Sequence, residues 1–204
     1  MKKVKIYESI IKRYSDLLFS ILLLLVLLPI LIVIAISVKV TSKGPIFFKQ
    51  ERIGLQGKTF EIYKFRTMCV GAENIGDGLT VKSDTDNRIT KVGKFLRRTS
   101  LDELPQLINI LKGEMSFVGP RPPVTYFPYK SYKNYPDWAK KRFEVRPGVT
   151  GFSQCTVRNS VSWDERIVLD NKYVERVSIK FDLKIFIMTL IKVFNSTNIY
   201  GEGK

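Results

Sequence analysis

Residues 17–38 read L-L-F-S-I-L-L-L-L-V-L-L-P-I-L-I-V-I-A-I-S-V, an apolar run interrupted only by Ser20, Pro29 and Ser37. Wound as a helix, it is about 33 Å long, enough to cross the hydrocarbon core of a bilayer. It is too long for a signal peptide, and no small-x-small cleavage pattern follows before Lys39. Pro29 sits mid-run, where it removes a backbone hydrogen bond and crowds the preceding turn, so a kink or break is expected there. Lys2, Lys3, Lys5, Lys12 and Arg13 lie on one flank and Lys39, Lys43 and Lys49 on the other. The positive-inside tendency draws both flanks to the cytoplasmic side. A helix that enters, bends at Pro29 and returns to the same face meets both conditions; a kinked spanning helix is the alternative. The flanking cations also favour anionic headgroups, at roughly 1 kcal/mol each. The chain therefore divides into a membrane segment, 1–40, and a catalytic or binding domain, 41–204.

Lys plus Arg number 34 against 19 for Asp plus Glu, a formal charge of +15 that favours an anionic partner. No recognised nucleic-acid-binding motif accompanies it, so a nucleic acid is not expected. There is no histidine, which excludes Ser-His-Asp and Cys-His catalysis and every His-bearing zinc site. Cys69 and Cys155 are isolated, with no metal-ligand spacing, and a reducing cytoplasm accommodates both as thiols.

Residues 46–52 and 58–68 are rich in Phe, Ile, Tyr and Thr, and Gly54-Leu55-Gln56-Gly57 between them predicts a β-hairpin. In the second strand Lys64 and Arg66 share a face, as anion ligands or as cations that blunt an edge. Residues 70–87, rich in Gly, Asp, Ser and Thr, predict an exposed loop, either lid or linker.

Arg97-Arg98-Thr99-Ser100-Leu101-Asp102-Glu103 brings two cations up to two acids. Ser100 fits a helix N-cap with Glu103 closing a capping box, and Leu104, Leu107, Ile108 and Leu111 continue at helical spacing. Capping alone would explain both acids. The dipole and the arginines would also keep Asp102 ionised, as an oxygen nucleophile or metal ligand requires. Two hard oxygen ligands suit Mg²⁺, which completes its shell with water and phosphates. Gly119-Pro120-Arg121-Pro122 then holds one guanidinium on a stiff turn, suited to phosphate or simply to a rigid loop. Farther on, Arg146-Pro147-Gly148 and Gly151 predict a tight turn, with Arg146, Gln154, Arg158 and Asn159 as donors. Residues 164–174 predict a helix. Residues 182–194 predict another, apolar over most of its circumference, at a membrane interface or in the core.

The apolar Pro-bearing N-terminus, I-Y-K-F-R-T-M at 62–68, the run from Thr99 to Pro122, R-P-G-V-T-G at 146–151, W-D-E-R at 163–166 and L-D-N-K-Y-V at 169–174 occur in order. Together they resemble the small monotopic phosphoglycosyl transferases of the bacterial sugar transferase family. The likeness departs at Leu28-Pro29, where the family commonly has Ser-Pro, and at 151–159, G-F-S-Q-C-T-V-R-N, where Phe152 and Val157 replace a Trp and a Gly.

The resemblance implies an α+β, mainly helical fold with a re-entrant N-terminal membrane helix, interfacial amphipathic helices and a small β-hairpin. It implies a bacterial inner-membrane enzyme facing the cytoplasm, using Mg²⁺, a UDP-sugar donor and a polyprenyl phosphate acceptor. Asp102 would be the nucleophile, and Glu103 would help hold the metal. Lys64, Arg66, Arg97, Arg121, Arg146, Gln154, Arg158 and Asn159 would be substrate ligands, and Pro29 the membrane bend. The competing expectation is a non-catalytic basic scaffold on the membrane surface.

Overall fold

The long apolar run folds as one helix. In the computed structural model, whose described residues are 7–75, 86–157 and 160–194, helix α1 runs from Lys12 to Thr41 with Pro29 inside it. The chain stays helical through the proline, so the run is not divided there. Ser20 and Ser37 turn their hydroxyls back onto the carbonyls of Leu17 and Val33, which hides their polarity within the helix. Leu18, Phe19, Leu25, Val26, Val33 and Ile36 are each more than half exposed. An apolar band of this extent is costly in water and fits lipid.

Both ends of α1 dock on the same body. Near its start, Lys12 pairs with Asp182, and Arg13 donates to the carbonyls of Ile110 and Leu111 at 2.6 and 2.9 Å. Midway, Leu24 packs against Phe60, Ile62 and Leu107. Near its end, Ile34 and Val38 are buried with Phe65 and Leu96. Arg66 closes this end by donating to the carbonyls of Ser42, Lys43 and Pro45 at 2.6–2.9 Å.

The expected hairpin forms. Strands β1 (Phe47–Ile53) and β2 (Thr59–Phe65) pair antiparallel, from Phe47 opposite Phe65 to Ile53 opposite Thr59, with Gln56 at positive φ in the turn. Helices α2 (Lys91–Thr99) and α3 (Gln106–Lys112) follow. Fully buried Asn109 of α3 bonds the edge of β2, accepting from Tyr63 N at 3.0 Å and donating to Glu61 O at 2.7 Å. That contact fixes the strand carrying Lys64.

Strands β3 (Ser116–Val118) and β4 (Gly148–Thr150) pair in parallel and carry the Gly-Pro-Arg-Pro and Arg-Pro-Gly turns. Their backbones nearly touch: a Cβ on Gly148 would lie 2.1 Å from Gly119 N, and one on Gly151 2.1 Å from Gly119 O. Glycine is required by this approach, and the two separated motifs are one structural unit. The short helices α4 (Asp137–Lys140) and α5 (Phe152–Thr156) precede α6 (Trp163–Arg176) and α7 (Ile179–Phe194). In α7 Ile185 is fully buried while Leu183, Phe186, Ile187, Leu190 and Ile191 are exposed, so a narrow stripe docks and a wider apolar face points outward. Cys69 and Cys155 are both free.

Candidate active site

Asp102 and Glu103 do not begin an α-helix. Helix α2 ends at Ser100, which adopts a left-handed conformation (φ 58°) and returns its N–H to the carbonyls of Leu96 and Arg97. A single 3₁₀ turn, Leu101–Glu103, follows before Pro105 leads into α3. The capping box expected at Ser100 is absent, because its side chain caps nothing. Pro105 gives the reason. A helix capped at Ser100 would need Pro105 to donate to Leu101 O, and the ring would collide with that carbonyl instead. Freed from capping, the Glu103 carboxylate meets Lys64 Nζ at 2.5 Å.

The turn sets Asp102 in the wall of a cavity of about 620 Å³. Lys64, Arg97, Asp102, Glu103, Arg121 and Gln154, all expected in the site, line it together. Arg97 Nε is steadied by Thr67 Oγ1 at 3.0 Å. The guanidinium of Arg121 has no hydrogen bond or ion pair among the described residues and remains available. Gln154 donates to Val149 O at 2.9 Å, while its Oε1 is buried without a partner.

Two expected ligands lie elsewhere. Arg66 is committed to the three carbonyls that end α1, so it does not project into the cavity with Lys64. Strand β2 stops at Phe65, and the face shared by Lys64 and Arg66 in the sequence pattern ends with it. Arg146 bonds Gly113 O at 3.1 Å and faces Glu8 at 3.5 Å, which ties the start of the chain to the β4 turn. Arg158 and Asn159 lie outside the described residues, as do 76–85 of the polar loop. Pro29 is not on the cavity wall, but Leu23 and Leu27 of the same helix are.

The electrostatics differ from the expectation of a dipole-stabilised Asp102. Burial pushes its carboxyl up to about 6; Lys64 and Arg97 pull it down, and the neighbouring Glu103 pushes it up further. For Glu103, burial acts upward too, but Lys64, Arg121 and Arg52 outweigh it and hold the group below its usual range. The acids are therefore unequal: Glu103 is held charged by its lysine, while Asp102 carries a carboxylate that no side-chain hydrogen bond satisfies. Among the described residues, no group of three or more Asp, Glu, Cys or His could hold a metal by protein ligands alone.

Sequence reasoning missed another part of the wall, formed by Arg142, Ser153, Trp163, Arg166 and Asp170. Arg142 and Asp170 are almost fully buried and pair at 2.8 Å, and Ser153 Oγ donates to Asp170 at 2.6 Å. One signal was present. Asp170 falls on the stripe of α6 whose other members, Ile167, Tyr173 and Val174, are buried apolar or aromatic residues. A carboxylate on such a stripe needs a buried cation.

The model of the bacterial sugar transferase family matches residues 7–196. The UDP-glucose:undecaprenyl-phosphate glucose-1-phosphate transferase of Klebsiella pneumoniae is 42% identical over 198 residues, which are 95% of this chain and 42% of that protein. The uncharacterized sugar transferase EpsL of Bacillus subtilis (strain 168) is 42% identical over 191 residues, 93% of this chain and 90% of EpsL. The exopolysaccharide production protein ExoY of Sinorhizobium fredii (strain NBRC 101917 / NGR234) is 39% identical over 205 residues, 94% of this chain and 89% of ExoY. The chain thus spans less than half the length of some curated relatives and about nine-tenths of others.

Proposed function

Because the chain belongs to the bacterial sugar transferase family, we propose that it moves a sugar 1-phosphate from a UDP-sugar to polyprenyl phosphate at a membrane surface. The observation that carries this reading is the composition of one cavity. It holds a buried Asp102 that takes no side-chain hydrogen bond from the described residues, the cations Lys64, Arg97 and Arg121, and the lipid-facing helix through Leu23 and Leu27. A water-soluble anionic donor and a lipid-linked anionic acceptor both find complementary walls there.

In the proposed reaction, an Asp102 carboxylate oxygen attacks the phosphorus that bears the sugar. The bond from that phosphorus to the bridging oxygen breaks, and the oxygen leaves with UMP. An oxygen of polyprenyl phosphate then attacks the same phosphorus, releasing Asp102 as carboxylate and giving polyprenyl diphosphate sugar. No net proton is needed at Asp102, consistent with a chain lacking histidine. Lys64 holds Glu103 in place, while Arg97 and Arg121 offset charge on the transferring group. Dividing the transfer into two displacements lets one cavity handle a soluble and a membrane substrate in turn.

Two adjacent carboxylates with otherwise open coordination fit Mg²⁺, and Asp102 and Glu103 would hold it. When bound, it would neutralise phosphate charge. The docking of α1 on the rest of the protein is what supports our reading of a monotopic, re-entrant placement on the cytoplasmic side of the bacterial inner membrane. Both ends of α1 are fastened to one body, as a helix spanning away from that body would not be. The test is UMP release from UDP-sugars with undecaprenyl phosphate and Mg²⁺ in nanodiscs, together with mass spectrometry of quenched enzyme. A sugar-phosphate adduct on Asp102 is the expected result; turnover undiminished in Asp102→Asn would overturn the proposal.

A further inference from the structure

One part of the cavity wall carries more positive charge than the protein itself balances. Arg121, Arg142 and Arg166 all line the cavity, and Asp170 is the one acid paired with any of them among the described residues. Arg142 spends Nη2 on Asp170 and on Arg121 O, at 2.8 and 2.6 Å, and its Nε and Nη1 are buried without hydrogen-bond partners among the described residues. Among the same residues Arg166 donates to the carbonyl of Val161 alone, at 3.0 and 3.2 Å. Burial, followed by the charge of Arg121, lowers its proton affinity, and Arg142 adds to the effect. Cations gathered this closely without counter-charge form a receptor for an anion.

An aromatic ring belongs to the same group. Trp163 lies 5.7 Å from the Arg142 guanidinium and 5.3 Å from that of Arg166, and the edge of Phe127 meets it at 5.8 Å. Guanidinium planes beside an indole offer flat, polarisable surfaces on which a planar heterocycle can stack. Trp163, Arg166 and Asp170 come from α6, which packs on the Lys141–Glu144 turn, α4 and α5. The apolar wall at Leu23 and Leu27 comes from α1, which packs on α2, α3 and the strands. Arg121 acts on both regions: its charge depresses Glu103 as well as Arg166.

We propose that Trp163, Arg142 and Arg166, with Arg121, hold the nucleoside monophosphate half of the donor, its base at the indole and its phosphate on the arginines. This placement rests on the phosphoglycosyl transfer proposed above. It puts the leaving group on the cation-rich wall and the sugar phosphate between Arg121 and Asp102. The acceptor lipid is left the α1 wall, because an isoprenoid chain gains nothing from a ring-and-guanidinium surface and reaches the cavity from the membrane.

The chain has two tryptophans, so Trp138→Phe makes Trp163 the chain's sole tryptophan, whose emission is read by exciting on the red side of tyrosine absorption. In nanodiscs, UMP should quench Trp163 saturably, inorganic pyrophosphate should compete for the site without comparable quenching, and undecaprenyl phosphate should do neither. Arg166→Gln should raise the Kd for UMP and the KM for the donor at least tenfold, leaving the KM for undecaprenyl phosphate within twofold. Arg121→Gln, which removes no side-chain hydrogen bond or ion pair among the described residues, should raise the same two constants with little change in thermal stability, so a folding defect is told apart from the effect. No saturable UMP quenching, or a rise confined to the acceptor KM, overturns the placement even if transfer proceeds. Failure of the Trp138→Phe protein and of wild type to transfer any sugar phosphate would instead overturn the function beneath it.

Discussion

Two lysine–carboxylate pairs among the described residues, Lys12–Asp182, which is buried, and Lys64–Glu103, which is partly buried, are built differently. At the foot of α1, Asp182 receives Lys12, the Tyr7 hydroxyl at 2.8 Å and the Tyr173 hydroxyl at 2.7 Å. Burial and then the charge of Asp182 push both tyrosines well above their usual range, so they stay protonated and donate. In the cavity, among the described residues, Glu103 receives one side-chain donor, Lys64, and the adjoining Asp102 receives none. The first cluster is saturated and leaves no capacity for a ligand. The second is left incomplete, as a site must be if substrate or metal is to finish its hydrogen bonding. Burial of charge does not by itself mark a functional site; unmet demand at the buried charge does.

The comparison breaks most visibly at Asp102. Asp102→Asn keeps the shape, removes the proposed nucleophile and should lower transfer by at least about 10³-fold. It should also leave thermal stability equal or higher at pH 8, because it deletes a buried carboxyl whose charged form burial disfavours. A variant that lost stability in parallel with activity would make Asp102 a structural residue like Asp182.

The same change at Asp182 should do the reverse. Asp182→Asn leaves buried Lys12 without its hydrogen-bonded counter-charge, with Asp16 the nearby carboxylate that remains, a defect that should cost up to about 3–5 kcal/mol. The loss should appear as a large drop in melting temperature in nanodiscs. The double variant Lys12→Met/Asp182→Leu should recover much of it, since a buried pair is often replaceable by apolar groups of similar volume. If Asp182→Asn melted like wild type, saturation of hydrogen bonds would not be what distinguishes the two clusters.

These contrasts also show what the sequence could carry. The hairpin was legible because alternation and the Gly-Leu-Gln-Gly turn are local. The acid pair stands out in the sequence beside its cations, but its backbone does not read correctly there: Ser100 and Glu103 match a capping box while Pro105, two residues on, forbids it. Arg66 and Arg146 look like ligands in the sequence, where charge beside a motif says nothing about orientation. Their partners, the carbonyls of Ser42, Lys43, Pro45 and Gly113, are residues whose proximity only the fold creates. The need for Gly119, Gly148 and Gly151 likewise depends on the parallel approach of β3 and β4, which no local pattern encodes.

A smaller effect follows from the inequality of the acids. The Asp102 carboxyl is raised from 3.8 to about 6, so folding favours its neutral form. Its contribution to stability is therefore present below pH 4 and is lost as pH rises through 6. Activity runs the other way, because attack needs the carboxylate. Donor-dependent transfer should fall about tenfold per pH unit below an apparent value near 6. Lys64→Met should shift that limb upward, since Lys64 is the cation pulling Asp102 down most. A limb near 4 in the wild type would mean that substrate or metal satisfies Asp102 before the chemical step.

The smallest effect should come from the third kind of lysine–carboxylate contact, Lys49 with Glu61 across the hairpin. These groups are 3.3 Å apart, but about half of each side chain is exposed. Water screens the pair and competes for both partners, and holding two long side chains in register costs entropy that offsets the attraction. Lys49 also lies 5.1 Å from the Tyr63 ring, yet Lys112 covers the same ring at 5.4 Å and would remain. Lys49→Ala should therefore change stability by no more than about 0.5 kcal/mol and leave transfer unaffected. A larger loss of stability would mean that the hairpin edge is shielded from water in the membrane-bound state. Lys49 would then belong to the docked face of the protein, with the buried pairs as its proper comparison.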